Sequence, residues 1–395
     1  LKIKIMSKIK SRFLFLDDSD KITREGFVKN INSSSDCVSI ETDYPDSWKN
    51  RSKMIMSEMD NYDGLILDWE LTNRSSAAKE GSKSAEDVDF SSEAIAEHIR
   101  INAAQKKIRD IPIIICSADK NKHFSTLRKK EQTSQDLFDL SFIKNEIFGK
   151  NSLDIDKQLH DLDITYKLIQ NKKTQLHEFL AINKSYIDNF LDIRFTYKIE
   201  TLIKEKTPHD LVQFFLREVI EREGILIDED VLAARLGVDK KATDKKDWDI
   251  LLLLLENSNV LNKGFLSKGW NRFWAFQLDE WWKKLGANFS LKTSKAVKRV
   301  GFLNQKFELN LKVADRIKYC SGEEFWTVCF GTKRPLDPIN GFQISEYPQY
   351  PWQNPIFVSA FAELEKEDTN AWKINIIDRI RYKEFKNEII ENGIK

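Results

Sequence analysis

Four strand-like segments, each ending on a residue capable of chemistry, constrain this chain most. Arg12-Phe-Leu-Phe-Leu16 runs into Asp17-Asp18, and Tyr62-Asp-Gly-Leu-Ile-Leu67 into Asp68. Ile111-Pro-Ile-Ile-Ile-Cys116 runs into Ser117, and Leu140-Ser-Phe-Ile143 into Lys144. Short, nearly continuous apolar runs of this kind read as strands buried on both faces. Helix signals separate them: Thr23 to Ile31, Ser47 to Met59 with Trp48, Ile55 and Met59 on one face, and about Glu93 to Lys107. In the last of these, Ser91 or Ser92 is a plausible N-cap, and Ile95, His98, Ile99 and Asn102 form a stripe. A further strand covers Cys37 to Thr42, and a further helix Thr126 to Leu137. Alternating β and α segments predict a parallel sheet covered on both sides. Residues just past the carboxyl ends of such strands converge on one crevice, the usual ligand site.

Three carboxylates, a hydroxyl and an ammonium brought together there suit Mg²⁺ and a phosphoryl group. A carboxylate attacks a phosphoryl group poorly because both are negative, and a bridging cation removes that obstacle. Mg²⁺ takes octahedral oxygen ligation and usually keeps several waters, so two or three carboxylates suffice. Clustered carboxylates also repel, so at least one should have a raised pKa without metal.

This ordered set, an Asp pair, then Asp68, Ser117-Ala118 and Lys144, resembles the receiver (response-regulator) domain of two-component signalling. The resemblance covers about 150 residues. It implies a flavodoxin-like (CheY-like) α/β fold, with Asp68 as phosphoacceptor from a histidine kinase. It further implies Asp18 and Asp68 as direct Mg²⁺ ligands, Asp17 as a ligand through water, and the backbone carbonyl of Glu70 as another. Ser117 would donate to one phosphoryl oxygen and Lys144 would pair with another. The chain departs from the family in four places. Asp68 and Ser117 are 49 residues apart, with polar, aperiodic Thr72 to Ser92 reading as a loop or disordered insertion. Asn145 stands where the family usually has proline, so a cis bond is not expected there. The position three before the lysine, an aromatic output switch in many receivers, is Ser141, and the nearby Phe142 should face the other way. Glu70 adds negative charge close to the phosphoacceptor.

From Ile155 the pattern changes. Ile155, Leu159, Leu162, Tyr166, Ile169, Leu176, Leu180, Ile187 and Phe190 follow a heptad, broken by Lys173 and Asn183. This fits either a long helix pairing with another, its polar seam residues fixing the register in a homodimer, or an amphipathic helix packed on its own domain. The domain reading is 8–172 receiver, 173–205 helical connector and 206–395 a separate α+β domain holding eight of the ten tryptophans. There, Pro208 to Arg222, Asp228 to Leu236, Lys246 to Glu256 and Lys268 to Leu285 read as helices, and Glu324 to Phe330 and Pro355 to Leu364 as strands.

Other signals are weaker. His160-Asp161 and His177-Glu178 resemble phosphotransfer pairs and fall off the heptad seam, which would leave them exposed, but no ATP-binding kinase motif accompanies them. His98 and His123 read as structural or surface residues. Val231 to Val238 looks like the first part of a helix-turn-helix, yet an acidic helix follows. Lys263 to Lys318 carries 13 Lys or Arg against 4 Asp or Glu, interleaved with aromatics. A core-facing aromatic stripe with a solvated basic face explains it better than a nucleic-acid site, given a net charge of +1. Cys37, Cys116, Cys320 and Cys329 lack metal-type spacing, and Cys116 within an apolar strand suits a reducing, cytoplasmic setting. No apolar run approaches a membrane span.

A divergent receiver followed by a large aromatic-rich domain is similar to the phosphate-buffer receivers of the Detocs phage-defence systems, where a sensor histidine kinase, a buffer receiver and an effector receiver cooperate. That similarity implies a regulator that holds or hydrolyses phosphate, with a second receiver-effector protein as a further partner. The alternative is a response regulator whose residues 206–395 are a phosphorylation-controlled effector or binding module. A scaffold that never takes phosphate fits poorly with the intact acid set.

Overall fold

The computed structural model describes residues 10–71, 90–117, 136–144, 152–171, 175–345, 349–366 and 371–391. Asn145 and His123, most of the Thr72 to Ser92 segment and nearly all of the span expected to be helical from Thr126 to Leu137 fall outside them. The chain divides into two compact units: Leu1–Ile187 with Ile193–Leu216 and Lys263–Trp270, and Asp188–Asp192 with Arg217–Asn262 and Asn271–Lys395.

The first unit begins β1 (Ser11–Leu16), α1 (Lys21–Ser34), β2 (Val38–Asp43), α2 (Trp48–Glu58), β3 (Gly64–Asp68), α3 (Ser92–Ala104), β4 (Ile113–Ser117), β5 (Leu140–Ile143) and α4 (Ser152–Gln170). All five strands pair in parallel in the order β2-β1-β3-β4-β5, a doubly wound arrangement that fits a flavodoxin-like fold. Side-chain alternation sends Leu14, Leu16, Leu65, Leu67, Ile113 and Ile115 to one face, under Ile55 of α2 and Ile95 and Ile99 of α3. Phe13, Phe15, Ile66, Ile114 and Cys116 go to the other, under Val28 and Ile31 of α1 and Ile155 and Leu159 of α4. Covering both faces explains why the strands lack polar alternation. Helix starts follow capping chemistry: Asp20 accepts from Thr23 N at 3.0 Å, and Ser91 from Ala94 N at 3.3 Å.

The heptad over 155–190 does not make one long helix. The chain instead forms α4, then α5 (Leu176–Leu180) and α6 (Lys184–Phe190), and Ala181 ends α5 in the left-handed region at φ 50°. Ile155, Leu159, Leu162 and Tyr166 are buried within the first unit, so the apolar seam is spent on the unit's own core. Helices α7 (Ile193–Glu205) and α8 (Pro208–Phe215) also belong to this unit, and it takes in residues 263–270, so it runs well past residue 172.

The second unit contains β6 (Leu226–Ile227), α9 (Glu229–Leu236), α10 (Lys245–Asn257), β7 (Phe273–Trp274), α11 (Ala275–Lys284), α12 (Ala296–Phe307), β8 (Thr327–Val328), β9 (Pro335–Leu336), β10 (Gly341–Gln343), β11 (Phe357–Ser359), α13 (Ala360–Leu364) and α14 (Ile376–Glu391). Its main core joins Leu232, Trp248, Leu251, Leu278, Trp281, Trp282 and Leu303. The rings of Phe273, Trp274, Trp281 and Trp282 are buried, so in this basic stretch they serve the core. Two expected elements differ. The helix expected from Lys268 starts only at Ala275, because Phe273 and Trp274 pair with Leu226 and Ile227. The strand expected over Pro355 to Leu364 turns helical after Ser359, whose hydroxyl caps Ala362 N at 3.2 Å. Among the described residues, no helix is long and apolar enough to cross a membrane.

Candidate functional site

The carboxyl edge of the parallel sheet gathers the residues singled out in the sequence. β1 and β3 are aligned Leu16 to Leu67, which sets Asp17 beside Asp68. β3 and β4 are aligned Asp68 to Cys116, which sets Ser117 one residue further on, and Ser117 pairs with Ile143 immediately before Lys144. Asp17, Asp18, Asp68, Ser117 and Lys144 are all buried.

Lys144 Nζ donates to Asp17 Oδ2 and to Asp68 Oδ2, both at 2.7 Å. Asp17 is fully used, since its Oδ1 also accepts from Ser19 N at 2.7 Å. The other two carboxylates are not. Asp18 Oδ2 is buried without a hydrogen-bond partner, and Asp68 Oδ1 accepts no hydrogen bond among the described residues. One carboxylate oxygen from each of the three aspartates lies within 4.8 Å of the others.

This set carries three potential negative charges against one ammonium, all on buried side chains. Burial pushes Asp68 up to about 6 although Lys144 pulls it down, and Asp17 and Asp18 add to the rise. Burial and then the Asp17 charge also raise Asp18. Burial alone would lower the Lys144 ammonium, but Asp68 and the hydrogen bonds to both carboxylates hold it above its ordinary value. The unbalanced charge and the unpartnered oxygens of Asp18 and Asp68 are what a divalent cation satisfies, so the buried acidic triad can bind a metal ion. Glu70 is exposed just beyond β3, and its charge contributes to the rise at Asp18.

Three supports of the site were not anticipated from sequence. Arg24 of α1 donates to the backbone carbonyl of Ser19, and to that of Asp17 at 3.5 Å, clamping the loop that carries the aspartate pair. Ser92, the first residue of α3, donates from its hydroxyl to the backbone carbonyl of Asp68. The ring of Phe27 lies 5.5 Å from Lys144 Nζ. An arginine on the first turn of a helix gives no sequence signal of a clamp, because its target carbonyls are fixed only by the folded loop.

Other expected residues lie elsewhere. His160 is partly buried, not exposed, with Nδ1 2.8 Å from Ser11 Oγ; Asp161 is buried and accepts from Lys268 N and Gly269 N at 2.8 Å. His177 is half-buried, and His98 packs edge-on against Trp48 with ring centroids 5.2 Å apart. Near the opposite edge of the sheet, Arg100 bridges Asp110 at 2.7 Å and Asp139 at 2.9 Å, and Asp139 also accepts from Tyr166 Oη at 2.8 Å. Those carboxylates are matched by cationic and hydroxyl partners, unlike the triad. No family model matches the chain, and no curated protein matches it.

Proposed function

We propose that this chain is a phosphoacceptor of the two-component receiver type, taking a phosphoryl group on Asp68 from a sensor histidine kinase. The observation that carries the reading is Lys144 held at 2.7 Å from both Asp17 and Asp68 while Asp68 Oδ1 stays unengaged. In the transfer, a lone pair of an Asp68 carboxylate oxygen forms the new O–P bond as the bond from phosphorus to the donor breaks. The donor keeps that electron pair and is protonated by solvent. Lys144 orients Asp68 before transfer and pairs with a phosphoryl oxygen after it; Ser117 donates to another. Asp18 and Asp68, with Asp17 through water and the Glu70 carbonyl, would hold Mg²⁺, which supplies neutralising charge when bound.

Ser141 provides no aromatic to report the phosphorylated state, which favours handling phosphate over switching an output. The role that follows is a phosphate buffer or regulator in bacterial anti-phage signalling, with a receiver-effector protein sharing the kinase. A separate core in the second unit supports the alternative, a phosphorylation-controlled effector or binding module.

Incubation with acetyl phosphate and Mg²⁺, followed on phosphate-affinity gels, tests the chemistry. Wild-type uptake lost in Asp68→Asn is expected, and an unmodified wild type would refute the phosphoacceptor reading. Beryllofluoride then separates the two roles: a large change in assembly or in a second-unit activity would favour output over buffering.

A further inference from the structure

Among its described residues the second unit buries two arginines, and they are used in opposite ways. Arg299 is fully enclosed and spends its guanidinium on the carbonyls of Arg235 and Phe325, with longer bonds to those of Leu291 and Glu323. It is a structural residue. Arg235, at the end of α9, is 3% exposed, yet its side chain's one hydrogen bond among the described residues runs from Nε to the Trp326 carbonyl at 3.4 Å. Its terminal nitrogens donate to no described group, and it forms no ion pair among the described residues. They are also not among the fully enclosed orphan atoms, so they keep a small contact with solvent.

The guanidinium lies 4.5 Å from the Trp326 ring, which shields it from water and fixes its plane. Exposed Lys292 approaches the same ring at 5.8 Å. Half-buried Glu223 and Asp279 are near enough to influence Arg235 electrostatically without pairing with it. Burying a guanidinium without an anion is costly, and its planar fork matches an oxyanion with two parallel oxygens.

We propose that Arg235 anchors a binding site for a carboxylate monoanion in the second unit, gripped end-on by its two terminal nitrogens and assisted by Lys292. The Asp279 carboxylate beside Arg235 repels a phosphate dianion more than a single carboxylate, which decides between these oxyanions. Burial, with Asp228 adding to it, raises Glu223 to about 8 against the pull of Arg272 and Arg235, so near neutral pH it adds little charge to repel a bound carboxylate. The site is independent of the acid triad, and its test does not depend on the phosphoacceptor reading.

The full chain is titrated by calorimetry with acetate, benzoate and inorganic phosphate at constant ionic strength, against chloride. Saturable carboxylate binding is expected, weakened at least about tenfold in Arg235→Lys, which keeps the charge but loses the fork. Should that variant fail to fold, Lys292→Ala should weaken binding, and Asp279→Asn should tighten it, each by about two- to fivefold. The proposal is overturned by absence of saturable binding to the wild type, by unchanged affinity in Arg235→Lys or in both of the other variants, or by phosphate binding more tightly than carboxylate.

Discussion

Asp68→Asn should stabilise the metal-free protein at alkaline pH while abolishing its chemistry. A carboxyl that ionises near 3.8 in the unfolded chain and at about 6 in the folded one disfavours the folded state by about 3 kcal/mol once pH exceeds both values. The sign follows from the raised value: the folded state holds the proton more tightly, so stability present below about pH 4 is lost as pH rises through about 6. Asparagine mimics the protonated acid and leaves Lys144 its bond to Asp17. Hydrogen exchange of β3 and β4 amides, measured by mass spectrometry with a chelator present, reads the local stability of this edge. At pH 8 the variant should be better protected by up to about 3 kcal/mol, and near pH 4 the two proteins should converge. Added Mg²⁺ should protect the wild type and leave the variant nearly unchanged. A variant less protected than the wild type at pH 8 without metal, or a difference that ignores pH, would refute the claim that this site stores unbalanced charge.

Lys144→Met strips the ammonium from three buried carboxylates and should cost about 3–5 kcal/mol in metal-free denaturant unfolding, with part regained on adding Mg²⁺. Asp18→Asn should leave the metal-free fold at least as stable as wild type but remove Mg²⁺-dependent stabilisation, as read by thermal shift. Arg100→Met should cost about 3–5 kcal/mol in urea unfolding by removing the guanidinium that bridges buried Asp110 and Asp139. Despite burial, Arg100 and then His209 hold Asp139 below the usual carboxylate range, so its contribution is present above that range and lost in acid; the variant should show a shallower acid transition. Gly237 ends α9 at φ 78°, and a Cβ there would lie 2.7 Å from Ala296 Cα, so Gly237→Ala should cost about 2 kcal/mol or more in the unfolding of the second unit.

The sheet was legible because each strand carries its own signal. Phe13, Phe15, Ile66 and Ile114 on one face and Leu14, Leu16, Leu67 and Ile115 on the other make the strands apolar on both faces, which only a doubly covered sheet rewards. The heptad from Ile155 misled for a related reason: periodicity records that one helix face is buried but not what buries it, and here the unit's own core does so. In the second unit, strands of two or three residues are too short to carry a pattern, so Phe273-Trp274 read as helix and Ala360 to Leu364 as strand. The clamp from Arg24 and the bond from Ser92 were invisible, since each joins a side chain to a backbone carbonyl placed by the fold.

By itself the sequence determined which residues reach the carboxyl edge of the sheet, because side-chain alternation and strand length are local properties. Tertiary structure alone decided their electrostatic state. Asp17, Asp18 and Asp68 are equivalent as letters, yet Lys144 and Ser19 saturate Asp17 while Asp18 and Asp68 each keep an open oxygen. Burial and charge balance sum over groups distant in the chain, and that sum exists only once the strands are side by side.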